Sequence, residues 1–189
     1  MEDRARLLSL LREKALRLGR IRLSSGKESD FYFDCKQVSL DPEGLVLLGR
    51  LLFAEIKALA EWPAAAGGLT LGADPLAAAV ALSSQLSGRP LAAFIVRKEP
   101  KSHGTQVWIE GTSALSAGAP VAILEDVVTT GGSTLKAISR AREAGLRVVG
   151  VVVVVDREED DGRERIEQEA GVPVRALFRR RDLLGEPTL

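Results

Sequence analysis

The sequence predicts an α/β fold: a parallel, twisted sheet flanked by helices, with a small N-terminal hood. Three observations carry that prediction. From Asp41 onward, strand-sized apolar runs alternate with segments of helical periodicity, the pattern of strand–helix–strand units. The run RVVGVVVVVD, residues 147–156, is β-branched without polar alternation, as a strand covered on both faces requires. The first part of the chain, about residues 1–40, breaks the alternation and is assigned to the hood. No internal repeat, low-complexity tract or linker interrupts the sequence, so residues 1–189 read as a single domain.

Each element has its own signal. Leu7, Leu8, Leu11, Ala15 and Leu18 share one helical face, which predicts a helix over Glu2–Leu18 stopped by Gly19. IRLSSGKESDFYFD, residues 21–34, reads as two short strands around a Ser/Gly turn. Asp41 and Pro42 suit the N-cap and first position of the next helix. A strand to Leu71, a loop over Gly72–Asp74 and a helix from Pro75 to the stop at Gly88 come next. RPLAAFIV (89–96) is a strand, and RKEPKSHGTQVWIEG (97–111) a polar, charged loop. PVAILED (120–126) is a strand and GSTLKAISRAREAG (132–145) a helix. After the valine-rich strand, RERIEQEAG (163–171) is a short helix and VPVRALF (172–178) the last strand.

Composition narrows the function classes. Lysine plus arginine and aspartate plus glutamate number 26 each, so no broad excess of positive charge points to nucleic acid as a partner. No apolar stretch approaches the roughly 20 residues of a membrane span, and the charged N-terminal segment lacks the apolar core of a signal peptide. The single cysteine, Cys35, excludes an internal disulfide and a cysteine-based zinc site; it reads as a small buried residue. These features predict a cytoplasmic protein with no membrane partner.

In a parallel sheet, ligands bind beyond the carboxyl ends of the strands. That directs attention to the loops after Leu71, Val96, Leu124 and Val155. The most informative is VAILEDVVTTGGST, residues 121–134. An apolar strand runs into the acid pair Glu125 and Asp126, then a Thr-Thr-Gly-Gly-Ser turn, then a helix. Backbone N–H groups of such a turn, with the helix N-terminus behind them, bind an anion; Thr129, Thr130, Ser133 and Thr134 add hydroxyls, and Gly131 and Gly132 allow close approach. No Gly-Lys-Ser/Thr follows, so this is not a Walker A loop, and G-x-G-x-x-G is absent. Acids next to a phosphate turn suit a ribose 5-phosphate, whose 2- and 3-hydroxyls Glu125 and Asp126 can accept. A capped helix with solvated acids is the competing reading of the same residues.

VAILEDVVTTGGST resembles the phosphoribosyl-diphosphate signature of the type I phosphoribosyltransferases, whose fold is a parallel sheet with flanking helices and a hood. Three further segments are similar to orotate phosphoribosyltransferases: LSSGKESDFYFD (23–34) to the hood, RKEPKSHG (97–104) to the catalytic loop, and VVVVVDREE (151–159) to the strand end facing the orotate carboxylate. The resemblance implies an enzyme joining orotate to phosphoribosyl diphosphate, to give orotidine 5-monophosphate and pyrophosphate in pyrimidine (UMP) biosynthesis. It implies phosphoribosyl diphosphate binding by Glu125, Asp126, Val127, Val128, Thr129, Thr130, Gly131, Gly132 and Ser133, with Arg97, Lys98, Lys101 and His103 on the pyrophosphate side. Orotate binding then falls to Thr129, Arg157, Tyr32, Phe33 and Lys36. Lys101, His103 and Asp126 are the implied catalytic residues. Mg²⁺ bridges ribose and pyrophosphate oxygens with no direct protein ligand, and a homodimer shares its active sites. Many members carry a lysine where this chain has Ser24; Lys27 or Lys36 can replace it, and Lys36, after the hood strand, is preferred.

The residue chemistry agrees, with alternatives. Arg97, Lys98, Lys101 and His103 gather three permanent charges and one titratable group within seven positions, and Pro100 and Gly104 suit a moving segment; a charged loop is also ordinary solvated surface. Arg157 offers a planar fork to a carboxylate, or caps a strand end beside Asp156 and Glu158. Tyr32 and Phe33 face a base or fill the hood core. TLGADP (70–75) supplies main-chain contacts to pyrophosphate, or is a capped loop. Two other functions compete: a purine or uracil phosphoribosyltransferase, which has no use for Arg157, and a non-catalytic regulator of the same fold, which has no use for Lys101 and His103.

Overall fold

The computed structural model describes residues 2–22, 28–100 and 107–185. Helix α1 (Glu2–Leu10) passes through a π-helical turn (Leu11–Ala15) into strand β1 (Leu16–Arg22). The helix thus ends earlier than its periodicity predicts. Leu16, Arg17 and Leu18 pair antiparallel with Phe33, Tyr32 and Phe31 of β2 (Glu28–Phe33), with a register shift between Leu18 and Ile21, where Gly19 has a φ of 129°. Pairing with an aromatic strand outweighs helix propensity. Leu18, expected on the buried face, is 72% exposed. The Ser/Gly turn between the two strands, with Ser24 and Lys27, lies outside the described residues.

α1 itself docks on the body of the molecule. Leu7, Leu10 and Leu11 are buried, Arg6 pairs with Glu43 at 2.7 Å, and the Arg12 Nε donates to the Leu183 carbonyl. The hairpin β1–β2 makes its own two-stranded sheet and enters the core through Phe31 and Phe33. A four-residue helix, α2 (Lys36–Ser39), is too short to leave a periodic trace in the sequence. α3 (Pro42–Lys57) starts as predicted: the Asp41 Oδ1 accepts from the Glu43 and Gly44 N–H groups, and Pro42 occupies the first turn.

The main sheet begins with β3 (Ala65–Leu69), two residues shorter than the sequence suggests, and α4 (Ala73–Leu86) then takes Pro75 into its first turn, where a missing N–H is tolerated. β4 (Ala92–Val96) is joined antiparallel by a two-residue strand, β5 (Ile109–Glu110), from the segment read as loop. β6 (Pro120–Val128), α5 (Gly132–Glu143), β7 (Arg147–Asp156), α6 (Gly162–Ala170) and β8 (Val174–Arg179) follow in the predicted alternation. A last short helix, α7 (Arg180–Leu184), was not predicted; Asp182 caps it by accepting from the Arg179 N–H at 2.8 Å.

The strand order is β5-β4-β3-β6-β7-β8, parallel except for β5. Both faces are covered. Val152 and Val154 of β7 belong to a core shared with α1, α3 and α4, while Val151 and Val153 pack with α5 and α6 on the opposite face. The lack of polar alternation in this strand has its cause there. β4 lies on one side of β3 and β6 on the other, so the two crossovers leave in opposite directions. The crevice between the carboxyl ends of β3 and β6 is the topological switch point, where such sheets bind ligands.

Candidate active site

A cleft of about 270 Å³ opens at that switch point. Leu69, Thr70, Leu71 and Gly72 line one wall, Glu125, Asp126, Val127 and Ser133 the other, and Lys36 and Lys98 contribute cations. Asp126 is half-buried, and its Oδ1 accepts from the Val127 N–H at 2.9 Å. The opposing loop passes so close that a Cβ on Gly72 would stand 2.5 Å from the Asp126 Oδ1. Lys36 reaches this wall from the hood side, its Nζ 2.7 Å from the Asp34 Oδ1, and its pKa is raised chiefly by that hydrogen bond.

The two acids of the pair have different surroundings. The Glu125 Oε2 accepts from the Ser133 Oγ at 2.7 Å and the Thr134 Oγ1 at 2.9 Å, and only 4% of the residue is exposed. Burial, reinforced by the neighbouring Asp126 and partly offset by the Ser133 hydroxyl, pushes its pKa up to about 8. Near neutrality Glu125 therefore favours its protonated form.

Beyond the acids, the chain turns from β6 into α5 through Gly131, whose φ of 74° is left-handed. A Cβ there would also lie 2.7 Å from the Gly162 carbonyl oxygen and 2.9 Å from the Ile166 Cγ1, because α6 packs on the turn. Thr130, Gly132 and Ser133 are exposed. The first N–H groups of α5 have no acceptor within the helix and sit at its positive end. Such a turn is able to hold an anion.

On the far side of the cleft, Thr70 is tied to both its neighbours: its N–H donates to the Val96 carbonyl at 2.9 Å and its hydroxyl to the Asp74 Oδ2 at 2.6 Å. Arg97 pairs with Glu110 at 3.0 Å and lines an adjoining hollow with Thr70 and Lys98. Lys101 and His103 lie outside the described residues.

A model of the phosphoribosyl transferase domain family matches residues 68–175. An orotate phosphoribosyltransferase of Sorangium cellulosum (strain So ce56) is 53% identical over 182 residues, covering 96% of this chain and 93% of that protein. A crystal structure of Mycobacterium tuberculosis H37Rv orotate phosphoribosyltransferase with Fe(III) dicitrate superimposes with a TM-score of 0.83 at 41% identity, over 96% of this chain and 98% of that one. The same Mycobacterium enzyme in complex with 5-phospho-α-D-ribosyl 1-diphosphate gives a TM-score of 0.76 at 38% identity, over 96% and 98%. The chain belongs to the orotate phosphoribosyltransferases.

Described residues of all four segments through which the sequence resembles this family meet near the carboxyl ends of the strands. The Arg157 N–H donates to the Val128 carbonyl at 3.0 Å, so the end of β7 adjoins the phosphate turn. The Arg157 side chain is buried, pairs with Glu159 at 3.0 Å and lies 4.3 Å over the ring of Phe31, from the hood. The expected aromatic pair is divided. Phe33 is a core residue and Tyr32, 39% exposed, points the other way, because neighbours on a strand alternate. Phe31 is the aromatic that meets Arg157. The Glu125 carboxylate also accepts from the Ser133 and Thr134 hydroxyls, while Glu125, Asp126 and Ser133 all line the cleft. Sequence reasoning missed Phe31 and the close approach of Gly72. Alternation within ESDFYF would have revealed the first; nothing local signals the second.

Proposed function

We propose that this chain transfers the 5-phosphoribosyl group from phosphoribosyl diphosphate to N1 of orotate, giving orotidine 5-monophosphate and pyrophosphate in pyrimidine biosynthesis. The observation that carries the reading is a half-buried Asp126 between an anion-binding turn and Lys98 in one switch-point cleft. Orotate N1 attacks C1 of the ribose and gives up its proton as the bond to pyrophosphate breaks, through a transition state with cationic character at C1. The turn Thr129–Ser133 holds the 5-phosphate through main-chain N–H groups and the Thr129 and Thr130 hydroxyls. Val127 and Val128 carry the strand into the turn. Asp126 accepts from a ribose hydroxyl and faces the positive charge developing at the ring. Lys98, with Arg97, Lys101 and His103, meets the departing pyrophosphate; Thr70–Gly72 add backbone contacts. Arg157, backed by Phe31, reads the orotate carboxylate, with Thr129, Tyr32 and Lys36 around the base.

Mg²⁺ supplies charge neutralisation on the diphosphate when bound. Among the described residues no three His, Cys, Asp or Glu side chains are grouped to hold a metal, and the half-buried Asp126 fits an ion that takes most ligands from substrate and water. Among the described residues no helix is long and apolar enough to cross a membrane. The working form in this reading is a cytoplasmic homodimer with shared sites, each chain acting as one domain. Loss of orotate absorbance on adding phosphoribosyl diphosphate and Mg²⁺ tests the reaction. Turnover of adenine, hypoxanthine or uracil instead of orotate would overturn it.

A further inference from the structure

Helix α5 carries the phosphate turn at its N-terminus, and farther along it grips both ends of the charged segment that provides Arg97 and Lys98. The Lys136 Nζ donates to the Lys98 carbonyl at 2.9 Å. One turn later, the Arg140 guanidinium lies 3.6 Å from the centroid of the Trp108 ring, with the Lys136 Nζ 5.9 Å from the same ring. The two ends of the segment are also joined to each other, since the Arg97 N–H donates to the Trp108 carbonyl at 2.9 Å. Exposed lysines usually stay solvated or pair with carboxylates. Here one is aimed at a backbone oxygen 38 positions away in sequence.

The geometry has a consequence for the chemistry. A carbonyl held in place fixes its peptide plane, and so restrains the backbone from which the Lys98 side chain enters the cleft. Electrostatic stabilisation of a leaving group depends on cations placed before the charge develops. Because the 5-phosphate and the diphosphate belong to one substrate, the turn that binds the first and the cations that meet the second must keep a fixed separation. One rigid helix touching both can hold it.

We propose that Lys136 and Arg140 are positioning residues for the transfer: from one face of α5 they fix Lys98 and Trp108, and so keep the pyrophosphate-side cations in register with the phosphate turn. The proposal rests on the functional reading given above. Trp108 provides a direct probe, because the chain has two tryptophans and Trp62 can be replaced by Phe. In a Trp62→Phe background, Lys136→Met should lower kcat about tenfold while KM for orotate stays within about twofold. Lys136→Arg should restore most of kcat, since a guanidinium can donate to the same carbonyl. Arg140→Leu should increase acrylamide quenching of Trp108 and lower kcat, with Arg140→Lys between it and the parent. If Trp62→Phe does not fold, the difference between wild-type and Trp108→Phe quenching reports the same residue. Wild-type kcat with unchanged quenching in the Met and Leu variants would overturn the proposal. So would a Lys136→Arg variant as slow and as thermally weakened as Lys136→Met, which would make the contact structural only. A parent that fails to turn over orotate refutes the functional reading instead, and the quenching measurement then decides the anchoring by itself.

Discussion

Glu125→Gln is the most informative single change. In the folded protein Glu125 holds its proton up to a pH of about 8, whereas an ordinary glutamate loses it near 4.5. Between those values the unfolded chain releases a proton that the folded chain retains, so folding stability falls as pH rises. Each pH unit in that window costs about 1.4 kcal/mol, so between pH 5 and pH 7 this group removes about 2–3 kcal/mol. Below 4.5 both states are protonated and the penalty vanishes. A glutamine keeps a carbonyl oxygen for Ser133 and Thr134 and an N–H group where the acid has its proton, but it cannot titrate. The assay is urea unfolding of wild type and variant at several pH values. The carboxylates whose pKa values are lowered elsewhere, such as Asp41 and Glu43, affect both proteins equally and cancel in the difference. The two proteins should match near pH 5, with the variant more stable by about 2–3 kcal/mol at pH 7. Parallel curves through that range would refute the assignment of a protonated, buried Glu125.

Further outcomes follow from the same site. Raising the pH through about 8 should weaken phosphoribosyl diphosphate binding to the wild type but not to Glu125→Gln, since only the former gains a negative charge beside the cleft; calorimetry on both checks this. Asp126→Asn should weaken that binding by roughly 1.5–3 kcal/mol, the worth of a hydrogen bond to a charged acceptor, and unchanged affinity and turnover would reduce the acid to a turn cap. Arg157→Ala should cost on the order of 2–5 kcal/mol in kcat/KM for orotate, with little change in phosphoribosyl diphosphate affinity by titration. Gly131→Ala should destabilise by about 2 kcal/mol or more in urea unfolding, because a left-handed residue and a contact with α6 are both penalised.

How far the sequence discloses this molecule depends on what each residue answers to. The Val148–Val155 run is legible because burial on both faces leaves its mark on every position of the strand itself. The Asp41–Pro42 helix start is legible for the same reason: cap and helix are neighbours in the chain. The end of α1 is not, since it is decided by pairing with Phe31–Phe33 in another segment. β5 and α7 escape because two and five residues are too few to show a period. In the site, the acid pair and the Gly/Thr turn announce an anion and its neighbour. The difference in burial between the two acids is a tertiary fact, set in part by α5 placing two hydroxyls over Glu125.

Adjacent residues in this site have different surroundings. β6 runs through Glu125 and Asp126 to Val128, and both acids line the cleft at its end. Glu125 is the more buried and accepts from Ser133 and Thr134 at the start of α5; Asp126 is half-buried beside it. In the hood, Phe31 and Phe33 turn inward, one to support Arg157 and both to join the core, while Tyr32 stays outside. The electrostatic result matters for a substrate that is itself highly anionic. With Glu125 protonated, one fewer negative charge stands beside Lys36 and Lys98, and Asp34 already accompanies Lys36. A second charged carboxylate at the same wall would cancel the remaining attraction, in a place where burial leaves little solvent to screen it. Burying Glu125 therefore lets the strand end in two acids with less repulsion of an anion at the turn beside them.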